Sequence, residues 1–266
     1  MQLDFGVKKC YRLSLEDYGY PGDICYWLRM DHVKDGSPEW QVLFEYYMRQ
    51  QHWDKWITPG MTCIDIGGHS GDTAIPMAVL SRGTVLSSEP NPTIYPYLEM
   101  NCRLNQHLAK FVAVMDAVSS KNADNVTFGD HQNMMCNGGL VGQIDPGTQE
   151  NVDKKTGATI NVNTMTLETM INQYLTKDQQ DAIGFIKTDT EGHDIEIIAS
   201  SRDILLKYKP VLFTEWFESY SPWASKKLFE TIEDCGYVPF NPETMAEVDP
   251  TSRTCEDLLC LHKDNI

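Results

Sequence analysis

A short apolar run that ends directly in clustered charge is the most chemically suggestive part of this chain. The run covers residues 183–186, and an apolar face resumes after Gly192, as when a buried strand leads into a helix. Ligands bind at the carboxyl ends of strands in open α/β sheets, so the charged side chains in between are expected to face a ligand. The candidate catalytic residues of this segment are Lys187, Asp189, Glu191 and His193.

A second constellation, Asp-Ile-Gly-Gly-His-Ser-Gly at residues 65–71, lies between a predicted strand and a predicted helix. Its glycines favour a tight turn, and we expect them to be needed because a Cβ would collide with a bound ligand. A dinucleotide-binding fingerprint has glycine where Asp65 stands, since a carboxylate there would repel a pyrophosphate. Asp65 instead suits a cation, which disfavours a Rossmann oxidoreductase.

Two further acids follow at strand ends. Glu89 ends the next predicted strand, at a position from which an acid accepts hydrogen bonds from a ribose diol. Asp116 ends the third strand, where it could accept a hydrogen bond from an exocyclic amine of adenine. A nucleoside with positive charge and no phosphate fits these residues, and that description predicts S-adenosylmethionine as the cofactor.

The elements that must position these residues alternate as short apolar runs and longer periodic segments, which predicts βαβ units and a parallel sheet. An N-terminal hairpin (9–15 and 24–30) and one or two amphipathic helices (39–57) are expected ahead of them; the aromatic residues of these helices are interpreted as core. Residues 121–157 are rich in Asn, Gly, Asp and Gln and are expected to form a long loop or hairpin insertion. The predicted strands are 62–66, 84–88, 111–115, 159–163, 184–188 and 211–215, with a terminal hairpin from 236–240 to 257–262. The predicted helices of this part are 72–81, 93–104, 167–174, 194–200 and 222–235.

Composition narrows the function classes. The chain has 266 residues and a formal net charge of −16, which argues against a nucleic-acid partner because phosphate binding needs clustered Lys and Arg. No apolar stretch is long enough for a membrane span, and the first residues do not read as a secretory signal. We therefore expect a cytoplasmic protein.

Four motifs in order resemble the FkbM family of methyltransferases: residues 63–71, Ser88-Glu-Pro-Asn-Pro92, Asp116-Ala-Val-Ser119 and Phe185-Ile-Lys-Thr-Asp-Thr-Glu-Gly-His193. The last is the specific one. The resemblance implies a class I (Rossmann-like) α/β fold with a mostly parallel seven-stranded sheet and helices on both faces, here with an N-terminal hairpin and helix extension. Residues 1–57 would form that extension and residues 58–266 the methyltransferase domain. It also implies methyl transfer, usually to a hydroxyl of a sugar, glycan or natural product.

Residue types and resemblance together name the cofactor-binding candidates Asp65, Gly67, Gly68, His69, Gly71, Glu89, Pro90, Asp116 and Ala117.

Three hypotheses describe the acceptor end. In the first, Asp189, Glu191 and Glu215 bind a divalent cation such as Mg²⁺, which lowers the pKa of the acceptor hydroxyl. In the second, His193 or Asp189 is a metal-free general base, with Lys187 as its orienting partner or as a charge screen. In the third, Lys187 pairs with Glu191 and His193 caps the following helix, all of them structural.

Alternative functions stay open at this point. The chain could be an inactive cofactor-binding scaffold, or an N-methyltransferase acting on a small-molecule amine. Use of a decarboxylated cofactor for aminopropyl transfer is a remoter alternative. Acceptor choice is expected to depend on residues 121–157 and the N-terminal hairpin, and a homodimer is left open.

Overall fold

The protein, described by a computed structural model, contains two larger β-sheets and two small hairpins. The structure describes residues 8–29, 33–34, 37–38, 44–130, 138–142, 145–153 and 158–266. In chain order the strands are β1 (Lys8–Ser14), β2 (Asp23–Arg29), β3 (Val33–Lys34), β4 (Ser37–Pro38), β5 (Thr62–Ile66), β6 (Thr84–Ser88), β7 (Lys110–Val114), β8 (Ala117–Val118), β9 (Ala123–Asp130), β10 (Gly138–Leu140), β11 (Thr159–Met165), β12 (Ile183–Thr188), β13 (Val211–Glu215), β14 (Tyr237–Phe240) and β15 (Asp257–His262). The α-helices are α1 (Ala74–Ser81), α2 (Tyr95–Leu104), α3 (Pro146–Asp153), α4 (Leu167–Tyr174), α5 (Lys177–Asp181), α6 (Asp194–Ser200), α7 (Arg202–Tyr208) and α8 (Pro222–Asp234).

The central sheet has seven strands in the order β14-β15-β13-β12-β5-β6-β7. The five strands from β13 to β7 are mutually parallel, while β15 runs antiparallel to both β13 and β14. The predicted mostly parallel seven-stranded sheet with a terminal hairpin is therefore confirmed. Strands β5 and β6 have the bounds expected from sequence.

Both faces of the central sheet are covered, which explains why its inner strands are apolar without alternation. Successive residues of β12 enter opposite cores: Phe185 packs with α1 and the N-terminal segment, and Ile186 packs with α4, α6 and α8. Side chains alternate across a strand, so a continuous apolar run supplies both cores at once. The charged segment follows the last residues of β12 and lies at the carboxyl edge of the sheet.

A second, four-stranded sheet has the order β10-β9-β11-β8. It draws β9 and β10 from within residues 121–157 and joins them to β11, which pairs antiparallel with β9 and parallel with β8. The sequence did not predict that β11 would leave the central sheet. Residues 131–137, 143–144 and 154–157 of the expected insertion lie outside the described residues.

The N-terminal hairpin, β1 with β2, is confirmed by its antiparallel register. The expected amphipathic helices differ from the structure: residues 46–50 form a π-helical turn and residues 53–55 a short 3-10 turn. His52 between them has a left-handed φ of 54°, which a continuous helix does not allow. Residues 39–43 lie outside the described part. Among the described helices, none is long and apolar enough to cross a membrane.

Candidate functional site

A cavity of about 630 Å³ opens at the carboxyl edge of the central sheet. This is the edge at which ligands bind in open α/β sheets, and the volume is that of a small-molecule pocket. Ten predicted site residues line it: Gly67, His69, Glu89, Pro90, Ala117, Lys187, Asp189, Glu191, His193 and Glu215. Four others, Asp65, Gly68, Gly71 and Asp116, are outside the lining. The fold thus brings the two predicted constellations into one cavity.

Two glycines of the loop between β5 and α1 lie tightly against other parts of the protein. A Cβ on Gly67 would come within 1.9 Å of the carbonyl oxygen of Asp189, and its φ is +79°. A Cβ on Gly68 would lie 2.0 Å from the Ser87 hydroxyl oxygen. At both positions the close neighbour of the added Cβ is the protein itself. The expectation that a Cβ would also collide with a bound ligand stays a prediction. Glycine lets this loop pack tightly against the β12 turn and β6.

Asp65 lies beneath the loop and is fully buried. Its Oδ1 accepts a hydrogen bond from Thr73 (2.9 Å) and its Oδ2 accepts one from Ser87 (2.8 Å). The Lys187 Nζ stands 3.5 Å from Oδ1. The carboxylate is thus held by protein groups and supports the loop from below.

Lys187 connects the two halves of the site. It is 2% exposed, donates a hydrogen bond to the Gly67 carbonyl (2.7 Å), and pairs with Asp189 at 3.3 Å as well as with Asp65. Burial alone would lower the pKa of Lys187, but these carboxylates outweigh it and raise the pKa. The ion-pair partners differ from the expected Glu191. Lys187 fixes the glycine loop and the Asp189 turn relative to each other.

Near the glycine loop, Glu89 has both carboxylate oxygens hydrogen-bonded, whereas the buried Oδ1 of Asp72 has no hydrogen-bond partner among the described residues. Glu89 is buried and its carboxylate accepts bonds from the backbone N–H groups of His69 (3.1 Å) and Asn91 (2.8 Å). His69 Nδ1 lies 3.5 Å from Oδ1 of Asp72, a cavity residue that sequence reasoning missed. Burial alone would raise the pKa of Asp72, but the His69 ring lowers it overall. Asp72 could have been identified from the sequence because it is an acid directly after the glycine loop.

At the other end, Asp189, Glu191 and Glu215 each offer an oxygen, and these oxygens lie within 4.8 Å of one another. Glu191 adopts a left-handed φ of 57°, a strained conformation for a non-glycine residue that is common at functional sites. The Glu215 Oε2 is buried with no hydrogen-bond partner among the described residues. Burial, reinforced by Asp189 and Glu191, raises the pKa of Glu215 well above its ordinary value.

His193 borders the same end and is 8% exposed. Its Nε2 lies 3.0 Å from the Ser119 hydroxyl oxygen and 3.7 Å from a carboxylate oxygen of Glu196. Burial lowers the pKa of His193, which the Glu196 charge opposes. His193 occupies the residue before α6, yet its side chain makes no capping hydrogen bond, so the expected capping role is wrong. Ser119 was not predicted, although it ends the third quoted motif.

The remaining cavity walls come from the second sheet and from the N-terminal and C-terminal segments, in which the sequence offered no site motif. The second sheet contributes Phe128, Gly139 and Leu140, and a Cβ on Gly139 would lie 3.2 Å from the carbonyl oxygens of Thr190 and Glu191. The N-terminal and C-terminal segments contribute Tyr26, Tyr46, Tyr47, Glu256 and Asp257. Sequence reasoning assigned Tyr47 among them to the core.

The sequence profile of the methyltransferase FkbM domain matches residues 65–239, about two thirds of the chain. The chain belongs to the FkbM methyltransferase family. This membership supports S-adenosylmethionine-dependent methyl transfer as the class of reaction. The match begins at Asp65 and includes both constellations, but it leaves out Tyr26, Tyr46, Tyr47 and the last two acids of the cavity wall.

Solved methyltransferase structures resemble the chain at low identity. The FkbM methyltransferase from Methylobacillus flagellatus is 12% identical with a TM-score of 0.46, over 86% of this chain and 56% of that one. A precorrin-6y C5,15-methyltransferase from Geobacter metallireducens is 13% identical (TM-score 0.38; 84% of this chain, 87% of that one). Aeropyrum pernix fibrillarin, solved with natively bound S-adenosyl-L-methionine, is 12% identical (TM-score 0.42; 95% and 94%). This chain therefore spans little more than half the length of the Methylobacillus protein. No curated protein shows significant sequence similarity to it.

Proposed function

We propose that this FkbM-family protein transfers a methyl group from S-adenosylmethionine to a hydroxyl of a sugar, glycan or small natural product. The observation that carries the proposal is the single cavity lined both by Gly67, His69 and Glu89 and by Asp189, His193 and Glu215. Methyl transfer is an in-line displacement, so donor and acceptor must be held together in one site.

At the cofactor end, Glu89 binds the ribose diol in this proposal. A carboxylate has about four lone-pair sites, and its two backbone hydrogen bonds leave capacity for two hydroxyls. Asp72 and Asp189 supply the negative field that favours a sulfonium, while Pro90 and Ala117 flank the adenine. Asp65, Gly68 and Gly71 act by shaping the loop, and Asp116 stays a candidate for the adenine edge.

At the acceptor end, the first proposed mechanism places a divalent cation such as Mg²⁺ between Asp189, Glu191 and Glu215. The convergence of their oxygens supports it, as does the unpartnered buried oxygen of Glu215. Carboxylate oxygens are the ligands that Mg²⁺ prefers. When bound, such an ion would lower the pKa of the acceptor hydroxyl.

The competing mechanism uses His193 as a metal-free general base. Glu196 and the Ser119 hydroxyl both lie on the Nε2 side, which favours the tautomer with hydrogen on Nε2. Nδ1 then carries the free lone pair that accepts the hydroxyl proton. The lowered pKa keeps the ring neutral at neutral pH, as a base requires. Asp189 is the weaker candidate base because its carboxylate is paired with Lys187.

A second candidate function is N-methylation of a small-molecule amine. The specific observation in its favour is the excess of carboxylates on the cavity wall, where a protonated amine would be attracted. Product analysis separates the two functions, because the position of the new methyl group differs.

The test is incubation of the full chain with methyl-labelled S-adenosylmethionine and a panel of hydroxylated sugars, glycans and amines, followed by mass spectrometry. We expect S-adenosylhomocysteine and an O-methylated product in equal amounts. Addition of EDTA separates the mechanisms, since activity that persists at full rate contradicts the metal site. Cofactor binding without turnover on any acceptor would instead support an inactive scaffold.

A further inference from the structure

One part of the cavity wall is built from residues outside the family match. Tyr46 and Tyr47 come from the π-helical turn at 46–50, Asp257 is the first residue of β15, and Glu256 immediately precedes it. We call these four residues the outer wall. π-helical turns occur frequently at functional sites, and this one brings two phenol rings to the cavity. Because the family profile does not cover the outer wall, it is suited to distinguish this protein's acceptor.

Tyr47 points to a ligand. It is 8% exposed, lines the cavity, and its hydroxyl has no hydrogen-bond partner in the part of the chain that the structure describes. Its ring is held by stacking on Trp53 (centroids 4.3 Å apart) and edge contact with Phe213 (6.5 Å). A phenol this buried usually finds a partner, so a rigidly held hydroxyl facing the cavity is expected to bind a ligand atom.

The surroundings of the Tyr47 hydroxyl are acidic. Burial raises the pKa of Tyr47, and the charges of Asp257, Asp72 and Asp189 raise it further. Asp257 is the direct cross-strand neighbour of Glu215 in the β13–β15 register. Its Oδ2 accepts a hydrogen bond from the Tyr46 hydroxyl at 3.4 Å.

Positive charge is scarce on this wall. Lys187 is the cavity's lysine, and its ammonium group is engaged by Gly67, Asp65 and Asp189. A divalent cation at Asp189, Glu191 and Glu215 would still leave Glu256 and Asp257 without a countercharge of their own. A negatively charged acceptor would be repelled here, whereas an ammonium group would be attracted.

We propose that the outer wall binds a hydroxylated ring that carries a protonated amine: the ammonium lies against Glu256 and Asp257, and Tyr47 donates a hydrogen bond to a ring oxygen. The proposal rests on the proposed function, because the opposite end of the cavity is taken to hold the cofactor. The amine is a recognition group, and the methylated atom is a hydroxyl of the same ring.

The experiment compares glucosamine with N-acetylglucosamine, which share the ring and differ in charge. Binding of each to the full chain with S-adenosylhomocysteine is measured by ligand-observed NMR titration at low ionic strength. We expect glucosamine to bind about ten-fold more tightly than N-acetylglucosamine, because a close charge pair in a binding site strengthens binding. The preference should disappear in the double variant Glu256→Gln/Asp257→Asn, and Tyr47→Phe should weaken both ligands alike.

Glu233→Gln, an exposed acid on α8 away from the cavity, is the matched control and should change neither ligand. Equal binding of the two sugars, binding of neither, or a preference that survives the double variant overturns the proposal. S-adenosylhomocysteine affinity is measured in parallel on every variant: its retention in the double variant shows an intact fold and cofactor end. If the wild-type chain does not bind S-adenosylhomocysteine, the proposed function itself is refuted.

Discussion

The two ends of the cavity are built in opposite ways. At the glycine-loop end, Asp65, Glu89 and Lys187 have their polar atoms engaged by nearby protein groups. At the other end, carboxylates crowd together, and both the Glu215 Oε2 and the Tyr47 hydroxyl lack partners among the described residues. In the proposed function, the first end is the one that binds the cofactor. The second end holds unsatisfied charge that a ligand must compensate, as expected where acceptors differ within a family.

The largest predicted effect breaks the connection between the two ends. Lys187→Met leaves Asp65 as an unpaired buried charge, which costs about 3–5 kcal/mol of unfolding free energy. Urea unfolding followed by circular dichroism measures it. Lys177→Met, at an exposed pair with Asp181, should leave the unfolding free energy almost unchanged. Equal losses in the two variants would show that the Lys187 network is not structural.

The next prediction separates the ends by cofactor affinity. Glu89→Gln removes a carboxylate that binds the ribose diol in this account, and loss of charge-assisted hydrogen bonds of about 1.5–3 kcal/mol weakens binding by about ten-fold to a hundred-fold. Calorimetric titration with S-adenosylhomocysteine gives the value. Glu215→Gln is the matched change at the other end and should leave that affinity unaltered. Similar loss in both variants would contradict the division of roles.

Much of this division was predictable from sequence, and the reasons are physical. The glycine loop, Glu89 and the Lys187 segment are local motifs at the ends of apolar runs, so strand periodicity places them at one edge. The alternation of strands and helices likewise sufficed for the central sheet. The grouping of Asp189 with Glu215 also followed from neighbouring parallel strands.

The parts that escaped prediction depend on long-range packing. Asp257 reaches the site through antiparallel pairing with β13, and Tyr47 through a π-helical turn that no periodicity indicates. β11 pairs with β9 in a second sheet. This pairing could not be predicted because β9 lies in a segment without an apolar pattern. Asp65 was predicted from sequence to bind the cofactor, and the structure places it outside the cavity lining, where it accepts hydrogen bonds from the Thr73 and Ser87 hydroxyls, which look ordinary in the sequence.

A pH experiment sharpens the contrast in charge. Burial, with Asp189 nearby, raises the pKa of Asp257 from 3.8 to about 7. An acid whose pKa is raised by folding stabilises the fold below its unfolded pKa, and this contribution is lost as pH rises through the folded pKa. Unfolding free energy should therefore fall between about pH 4 and pH 7, by about 1–2 kcal/mol from this group after allowance for solvent screening. Asp257→Asn should reduce the dependence of the unfolding free energy on pH. An unchanged pH dependence would contradict the crowding of carboxylates around Asp257.

The smallest predicted effect concerns the orientation of His193. Ser119→Ala removes the hydrogen bond at Nε2, which is worth about 0.5–1.5 kcal/mol, so a several-fold decrease in turnover is expected with little change in cofactor affinity. The tautomer, read from the ring nitrogen chemical shifts by NMR, should become mixed. Ser119→Thr keeps the hydroxyl and should retain the wild-type tautomer. An unchanged tautomer in the alanine variant would show that Ser119 does not orient His193.

The most direct test of the two-ended cavity is a crystal structure of the chain with S-adenosylhomocysteine. The account predicts that the ribose hydroxyls donate to Glu89, that the backbone of Gly67 borders the ligand, and that the sulfur faces Asp189 and His193. A cofactor bound with its sulfur turned away from those residues, or bound outside the cavity, would contradict it.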